Sequence, residues 1–465
     1  MKLKQLILLG AIVITSNYCF SQKTEDRYVA TVEVNGKYGI IDENGNYIVP
    51  AIYDYIDGFS ENGLSKVLYN DKWGYINKTG NMVIPAVYDE TIGFICDSPV
   101  PGASVLLNEK WGYVDDKGGI IIPCKYDGLY RFDDLGLALV KINGKFGYID
   151  RYDNLVIPAI FDDASHFVKN GLASVRINGK YGYIDTTGKI VIPAKFEMGW
   201  SFTDKGLALV RINGKNGFID KTGKFVVPAK YDDLDQIFDN DLAFVKINGK
   251  YGFINEKGKI VIPCKYDFVT SFRDDGTADV EINGKHGEID KTGKIVIPIK
   301  YDEVWGFDDY GYSVVRINNK YGFIDRTGNV VIPIKYESVL QFCSNNIAAV
   351  FIKEKWVFID RKGKIVIPAK YEGIGGAFCG KEEAVYSNEK WTYIDMAGNS
   401  ILKATYEYIG LYGFSGNGLL PVVINGKWGF INRNERLVIP AKYDNVGYFT
   451  TDWSQLSSDY LDIDP

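Results

Sequence analysis

The sequence predicts an all-β protein: a tandem array of about twelve three-stranded antiparallel meanders, roughly 35 residues each, behind an N-terminal leader. Three observations carry this. A lysine-aromatic-glycine landmark recurs in fixed register along the chain. An Asn-Gly or similar turn precedes it between two β-rich runs. Tyrosine (33), phenylalanine (25) and glycine (50) are abundant, the composition of short strands and tight turns.

The first 21 residues read as a leader. Lys2 and Lys4 form a positive start, Leu6 to Thr15 is an apolar run, and Ser16 to Ser21 is a short polar stretch ending in a small residue. This is the layout of a secretory signal peptide, too short to span a bilayer. Cleavage is expected after Ser21, which makes the protein exported, either periplasmic or extracellular. Ser16-Asn17-Tyr18 lacks the small residues that lipid attachment at Cys19 would want, so no lipid anchor is expected. No later stretch is apolar enough to be a transmembrane segment.

The array occupies residues 22–449. Its landmarks include Trp73-Gly74, Trp111-Gly112, Tyr181-Gly182 and Trp428-Gly429; Asn216 and His286 keep the glycine, Trp356 and Trp391 the tryptophan. Successive landmarks are 35 residues apart except from Trp73 to Trp111 (38) and from Trp391 to Trp428 (37). Numbered by landmark, copy 1 contains Tyr38, copy 5 Tyr181, copy 8 His286 and copy 12 Trp428.

Copy 5 shows the physics. Asn178-Gly179 between two β-rich runs predicts a type I′ hairpin. Asp185 to Gly188 forms a second turn, with glycine in the left-handed region. Pro193 has no N–H, so it marks a bulge, strand end or free edge in the third strand. The turn pairs Arg176 with Tyr181, Val175 with Gly182, Ser174 with Tyr183 and Ala173 with Ile184. Side chains alternate across a strand. One face then carries Ala173, Val175, Ile177, Gly182 and Ile184; the other carries Leu172, Arg176, Tyr181 and Tyr183, with the arginine over an aromatic ring. Glycine opposite valine is expected to let a neighbouring sheet approach closely. A sheet apolar on both faces needs a neighbour on each side, so the meanders are expected to stack face to face.

An open superhelical solenoid is expected, because propellers typically have four to eight blades and twelve uniform copies show no linker; one or two β-propellers is the alternative. Residues 450–465, with Asp452, Asp459, Asp462 and Asp464, are expected to form an acidic C-terminal tail or cap.

In all twelve copies a lysine precedes the landmark, Asp or Asn follows the second strand, and an aromatic-acid pair closes the third, as in Lys180, Asp185 and Phe196-Glu197. Residues present in every copy are expected to cap turns and pair neighbouring copies rather than catalyse.

The net charge is −6, or −8 once Lys2 and Lys4 leave with the leader. An acidic chain without a basic block argues against nucleic acid as a partner. Five cysteines survive cleavage, too few for a disulfide scaffold. Cys124 and Cys264 stand where other copies have alanine or isoleucine and read as small buried apolar residues; a Cys343–Cys379 bridge between adjacent copies is possible but unforced.

Lys-Trp-Gly-Tyr-Ile at 72–76, Lys-Trp-Gly-Tyr-Val at 110–114 and Lys-Trp-Gly-Phe-Ile at 427–431, with Val83-Ile84-Pro85 and Tyr88-Asp89, resemble the bacterial WG-repeat family. The resemblance runs from about residue 29 to 449. It implies an envelope or secreted β-repeat protein and supplies no catalytic motif. Seven copies lack the tryptophan, which argues against a ligand-reading role for it. The leader end, Phe20-Ser21-Gln22, looks similar to those of Bacteroidetes proteins.

No nucleophile elbow, phosphate-binding loop or zinc spacing is present, so the chain is not expected to be an enzyme or to need a cofactor. One copy departs from the pattern. In copy 8 the aromatic face reads Thr277, Asp279, Glu281, His286 and Glu288, with Glu281 opposite His286 and Asp279 opposite Glu288. These side chains are a candidate divalent-cation site or a solvated face. The three-residue insertion near Cys96 to Gly102 is a candidate binding loop or a tolerated surface insertion. The function expected is a non-catalytic secreted or envelope protein presenting an extended surface to a protein or glycan. The alternative is a structural envelope component that associates with itself; oligomeric state is open.

Overall fold

The computed structural model describes residues 27–458, except 237, 239, 240, 309 and 344. The leader and residues 459–465 lie outside the described residues.

Copy 5 folds as its pattern dictates. Its strands are Leu172–Ile177, Lys180–Asp185 and Ile190–Phe196. Asn178 and Gly179 take φ of 51° and 77°, as a type I′ turn requires. The pairing is Ala173 with Ile184, Ser174 with Tyr183, Val175 with Gly182 and Arg176 with Tyr181. The Arg176 guanidinium lies 5.9 Å from the Tyr181 ring centre.

The third strand carries a bulge between the partners of Tyr181 and Tyr183. It explains the landmark glycine differently from the sequence expectation. A Cβ on Gly182 would lie 2.6 Å from the Ile192 carbonyl oxygen and 2.7 Å from the Ala194 nitrogen. The close approach is therefore made by the copy's own bulged third strand, not by a neighbouring sheet. Copy 10 keeps the same register with Val357 in this column, and nothing in the structure explains how it is accommodated. Copy 11, with Thr392 there and Lys403 where other copies have proline, loses its third strand to two isolated bridges.

Every copy except copy 11 also contributes a further strand, in most copies of two residues and too short for periodicity to reveal. After the third strand, Met198–Gly199 pairs with Val210 and Arg211 of copy 6. The blades are therefore four-stranded: ten sheets have four strands and two have three. At the far end Asn445–Val446 pairs with Glu33 and Val32 of copy 1, and Asp444 N donates to the Glu33 carbonyl. The chain thus closes into a twelve-bladed β-propeller ring. The open superhelical solenoid is overturned, and the alternative holds as a single propeller. Each short strand hands a copy's end to the next sheet, and the same hand-over joins copy 12 to copy 1. Nothing in one copy limits the ring to the usual blade number.

Face-to-face stacking holds. Leu172, Tyr183, Ile192, Phe196 and Phe202 pack on Ala208, Val210 and Ile219 of copy 6. The aromatic face of one blade meets the small, β-branched face of the next. Similar clusters lie between the other blades, including copy 12 against copy 1, where Phe430 and Ile439 meet Ala30 and Ile41. In most copies the second-strand aromatic stacks on a phenylalanine of the following connector, as Tyr183 does on Phe202 at 4.9 Å.

Copy 1 has Ile40 in that aromatic column, and the C-terminal segment fills the gap. Trp453 packs edge-on against Phe59 at 5.1 Å and joins Val29, Ile56, Val67 and Leu456 in one cluster. The Thr31 hydroxyl donates to the Leu456 carbonyl, and Ser458 bonds Ile56. A Cβ on Gly58 would overlap the Ser454 carbonyl at 1.9 Å. Residues 450–458 are therefore a latch across the joint.

Candidate functional site

The polar residues present in every copy are used to hold the ring. Lys250 pairs with Asp267 seventeen residues on in the same copy, and the other Asp267 oxygen accepts from Asn283 N in the hairpin turn of the next copy at 2.8 Å. The Lys250 bond, reinforced by that N–H, holds the carboxyl below its ordinary range. Lys72, Lys110, Lys145, Lys215, Lys285 and Lys427 make the same pair with Asp89, Asp127, Asp162, Asp232, Asp302 and Asp444. The ion pair lies within a copy; the turn cap joins copies. Asp185 caps its own turn, accepting from Thr187 N and Lys189 N at 2.9 and 3.1 Å.

The landmarks take structural places. Trp73 packs edge-on with Tyr55 at 5.6 Å, Trp428 with Tyr408 at 5.7 Å, Trp111 borders a core cluster, and Gly74, Gly112 and Gly429 face their own third strands as Gly182 does.

Copy 8 holds a buried charge network. Asp279 lies opposite Glu288, and Glu281 opposite His286, as the register predicts. The connector adds Arg273, whose guanidinium donates to Asp279 at 2.9 Å, to Glu288 at 2.6 Å and to the Thr277 hydroxyl at 2.9 Å. A cation already sits between the two carboxylates. Among the described residues no group of three or more His, Cys, Asp or Glu is gathered closely enough to hold a metal ion; Asp279, Glu281, His286 and Glu288 are not brought together as one ligand set. Glu288 fills the column that holds a buried tyrosine or phenylalanine in ten other copies, and its side chain is 0% exposed. Burial pushes its pKa up to about 7; Arg273 opposes this, and the nearby Asp279 and Asp275 add to it.

A concavity lies over the connectors that join copies 2 to 6. It encloses about 330 Å³ and is lined by Ile95, Asp97, Ser98, Arg131, Phe132, Asp133, Asp134, His166, Phe167, Val168, Lys169, Phe202 and Asp204. The inserted loop supplies one wall. Its ends bridge at Ile95 and Gly102, Val100 anchors it in the core, and the Tyr113 hydroxyl donates to the Val100 carbonyl at 3.1 Å. Ser98 donates to the Phe132 carbonyl at 3.2 Å, tying the tip to the next connector.

Asp133 and His166 shape the floor. Asp133 is buried and accepts from Leu135 N, Leu137 N and Phe167 N at 3.0, 3.1 and 3.1 Å. Burial still raises its pKa, against those bonds. His166 packs edge-on against Tyr130 at 6.2 Å, and burial, with Arg131 nearby, holds its pKa below the ordinary value although Asp133 opposes. Its Nδ1 is buried without a hydrogen-bond partner. A neutral imidazole beside Arg131, Lys169, Asp97 and Asp134 can bond a polar ligand of either sign. The insertion was visible in the sequence; Arg131, Asp133, Asp134, His166, Lys169 and Asp204 carried no signal, because connectors have no period.

Among the described residues no helix is long and apolar enough to cross a membrane. Cys343 and Cys379 form a disulfide between successive connectors, with Cα atoms 4.8 Å apart.

The chain is similar in fold to several solved structures: a eukaryotic initiation factor (11% identical, TM-score 0.31, 82% of this chain and 96% of that one); the extracellular domain assigned to a one component system from B. thetaiotaomicron (9%, 0.24, 89% and 75%); and PorZ, a surface component of the type-IX secretion system of Porphyromonas gingivalis (10%, 0.22, 90% and 73%). Scores this low carry no inference about what this chain does. No curated protein matches it. The WG containing repeat model matches twelve consecutive stretches, which together span 38–97, 111–215, 217–285, 287–356, 358–380 and 391–454. With a landmark glycine explained by its own bulged strand and twelve blades closed into a ring, the chain belongs to the WG-repeat family.

Proposed function

We propose that this protein is an exported, non-catalytic ring that binds a protein or glycan partner through its connector face. The observation that carries this is the groove over the connectors of copies 2 to 6. The strands and their closing ion pairs are alike from copy to copy, whereas the groove is built from connector residues that differ. Varied residues around a concavity on a uniform scaffold are the arrangement of a recognition site. Export is supported by the leader and by the Cys343–Cys379 bridge, a bond that persists in oxidising compartments.

The self-associating alternative is less favoured. Every third strand at a free edge carries a proline, as Pro193, Pro228 and Pro263 do, and in copies 5 to 10 an exposed lysine stands near it; only copy 11, which has no third strand, lacks the proline. Both devices blunt edge-to-edge pairing.

The test is a glycan array, together with a crosslinking pull-down from envelope extract, using the wild type and Arg131→Ala/Lys169→Ala. Both residues are exposed, so the variant is expected to fold. A ligand held by the wild type and lost by the variant supports the reading. Binding unchanged in the variant, or concentration-dependent self-association in light scattering without any ligand, would overturn it.

A further inference from the structure

The third strands carry a second surface, distinct from the groove. In six consecutive blades, copies 5 to 10, an exposed lysine follows the edge-strand bulge: Lys195, Lys230, Lys265, Lys300, Lys335 and Lys370. Each is on the free edge of its sheet. Each ammonium lies 5.0 to 5.3 Å from the ring centre of the next residue, Phe196 or the corresponding tyrosine. Among the described residues none of the six has a carboxylate within ion-pair distance. In copy 6, for example, the closing acid Asp232 is engaged by Lys215 and by Asn248 N, and the turn acid Asp220 by its own backbone amides.

The arc has ends. Copies 1, 2, 4 and 11 place Ile52, Val87, Ile160 and Thr405 at this position, and the equivalent Lys442 of copy 12 stands apart from the run beyond Thr405. In copy 3 the equivalent Lys125 is neutralised by Asp153 at 2.5 Å. The result is a run of like charges, one per blade, on a molecule whose net charge is negative. Each ammonium lies over a ring, a contact that favours one direction of the side chain.

We propose that this arc is a binding surface for an acidic polysaccharide, a linear chain bearing carboxylates at regular intervals. The proposal rests on the reading of the ring as an exported binding protein, but on a different surface. Regularly spaced point charges suit a polymer that repeats its own. Sheet edges in a propeller follow a circumference, so a flexible chain can touch all six lysines while a flat bilayer meets only part of the arc. The negative charge elsewhere disfavours the denser charge of nucleic acid.

The test uses polygalacturonate as probe and neutral dextran as control, with binding followed by calorimetry on the full mature chain. The wild type is expected to bind polygalacturonate and not dextran, with affinity falling at least about tenfold between 0.05 and 0.5 M salt as the charges are screened. Lys230→Ala/Lys265→Ala/Lys300→Ala/Lys335→Ala is expected to bind at least about tenfold more weakly, and the corresponding Lys→Arg variant to bind as the wild type does, since both keep a cation over the ring. A circular dichroism melt confirms that the alanine variant is folded. Arg131→Ala/Lys169→Ala should leave polygalacturonate binding intact, so failure of the groove and failure of the arc are separable. Equal affinity for dextran, equal affinity of the alanine variant, or binding to phosphatidylglycerol vesicles or duplex DNA without binding to polygalacturonate would overturn the proposal.

Discussion

Replacing Glu288 by glutamine isolates the cost of burying an acid in an aromatic column. The Glu288 side chain is fully buried, one oxygen accepts from Arg273 at 2.6 Å, and the other has no hydrogen-bond partner. Its pKa rises from 4.5 to about 7 in the fold, a gap worth about 3 kcal/mol. The folded state holds this proton more tightly than the unfolded chain does. Below about pH 4.5 both states are protonated, and the fold has its full share of stability from this group. As pH rises to about 7 the unfolded state ionises first and that share is lost; above 7 nothing further changes. The Glu288→Gln variant keeps the shape and has no proton to lose. Acids such as Asp267, whose lowered pKa acts in the opposite sense, are common to both proteins and cancel. Urea unfolding of both, followed by tryptophan fluorescence from pH 4.5 to 8, gives the difference. The wild type should lose about 3 kcal/mol relative to the variant across that window. Parallel stability curves would refute the reasoning and show that Arg273 fully compensates the buried carboxylate.

Three further outcomes follow from the packing. Trp453→Ala removes the ring that substitutes for an aromatic at Ile40 and should cost about 3–5 kcal/mol, with faster hydrogen exchange confined first to copies 1 and 2; Trp453→Phe should recover part of it. Gly182→Ala drives a Cβ into the bulge at Ile192 and Ala194 and should cost about 1–3 kcal/mol in thermal unfolding. Lys250→Ala breaks one exposed ion pair and should lower the melting midpoint less than Asp267→Ala, which also removes the acceptor of Asn283 N.

Local features could be read directly from the order of residues. Asn178-Gly179 fixed the hairpin, the hairpin fixed the register, and the register placed Val175 and Tyr183 on opposite faces. Each step involves residues close in the chain, and two apolar faces required stacking. The acids of copy 8 were legible as an anomaly for the same reason. Tertiary structure decided the rest. Closure depends on a small rotation between blades that accumulates over twelve steps, and no single copy encodes that sum. Met198–Gly199 is too short to show a period, so the fourth strand and the hand-over it makes were invisible. Arg273 reaches Glu288 from a connector, Trp453 reaches Phe59 from the far end of the chain, and Asp97, Arg131 and His166 meet over connectors from successive blades. Contacts of that kind exist only once the ring brings distant residues together.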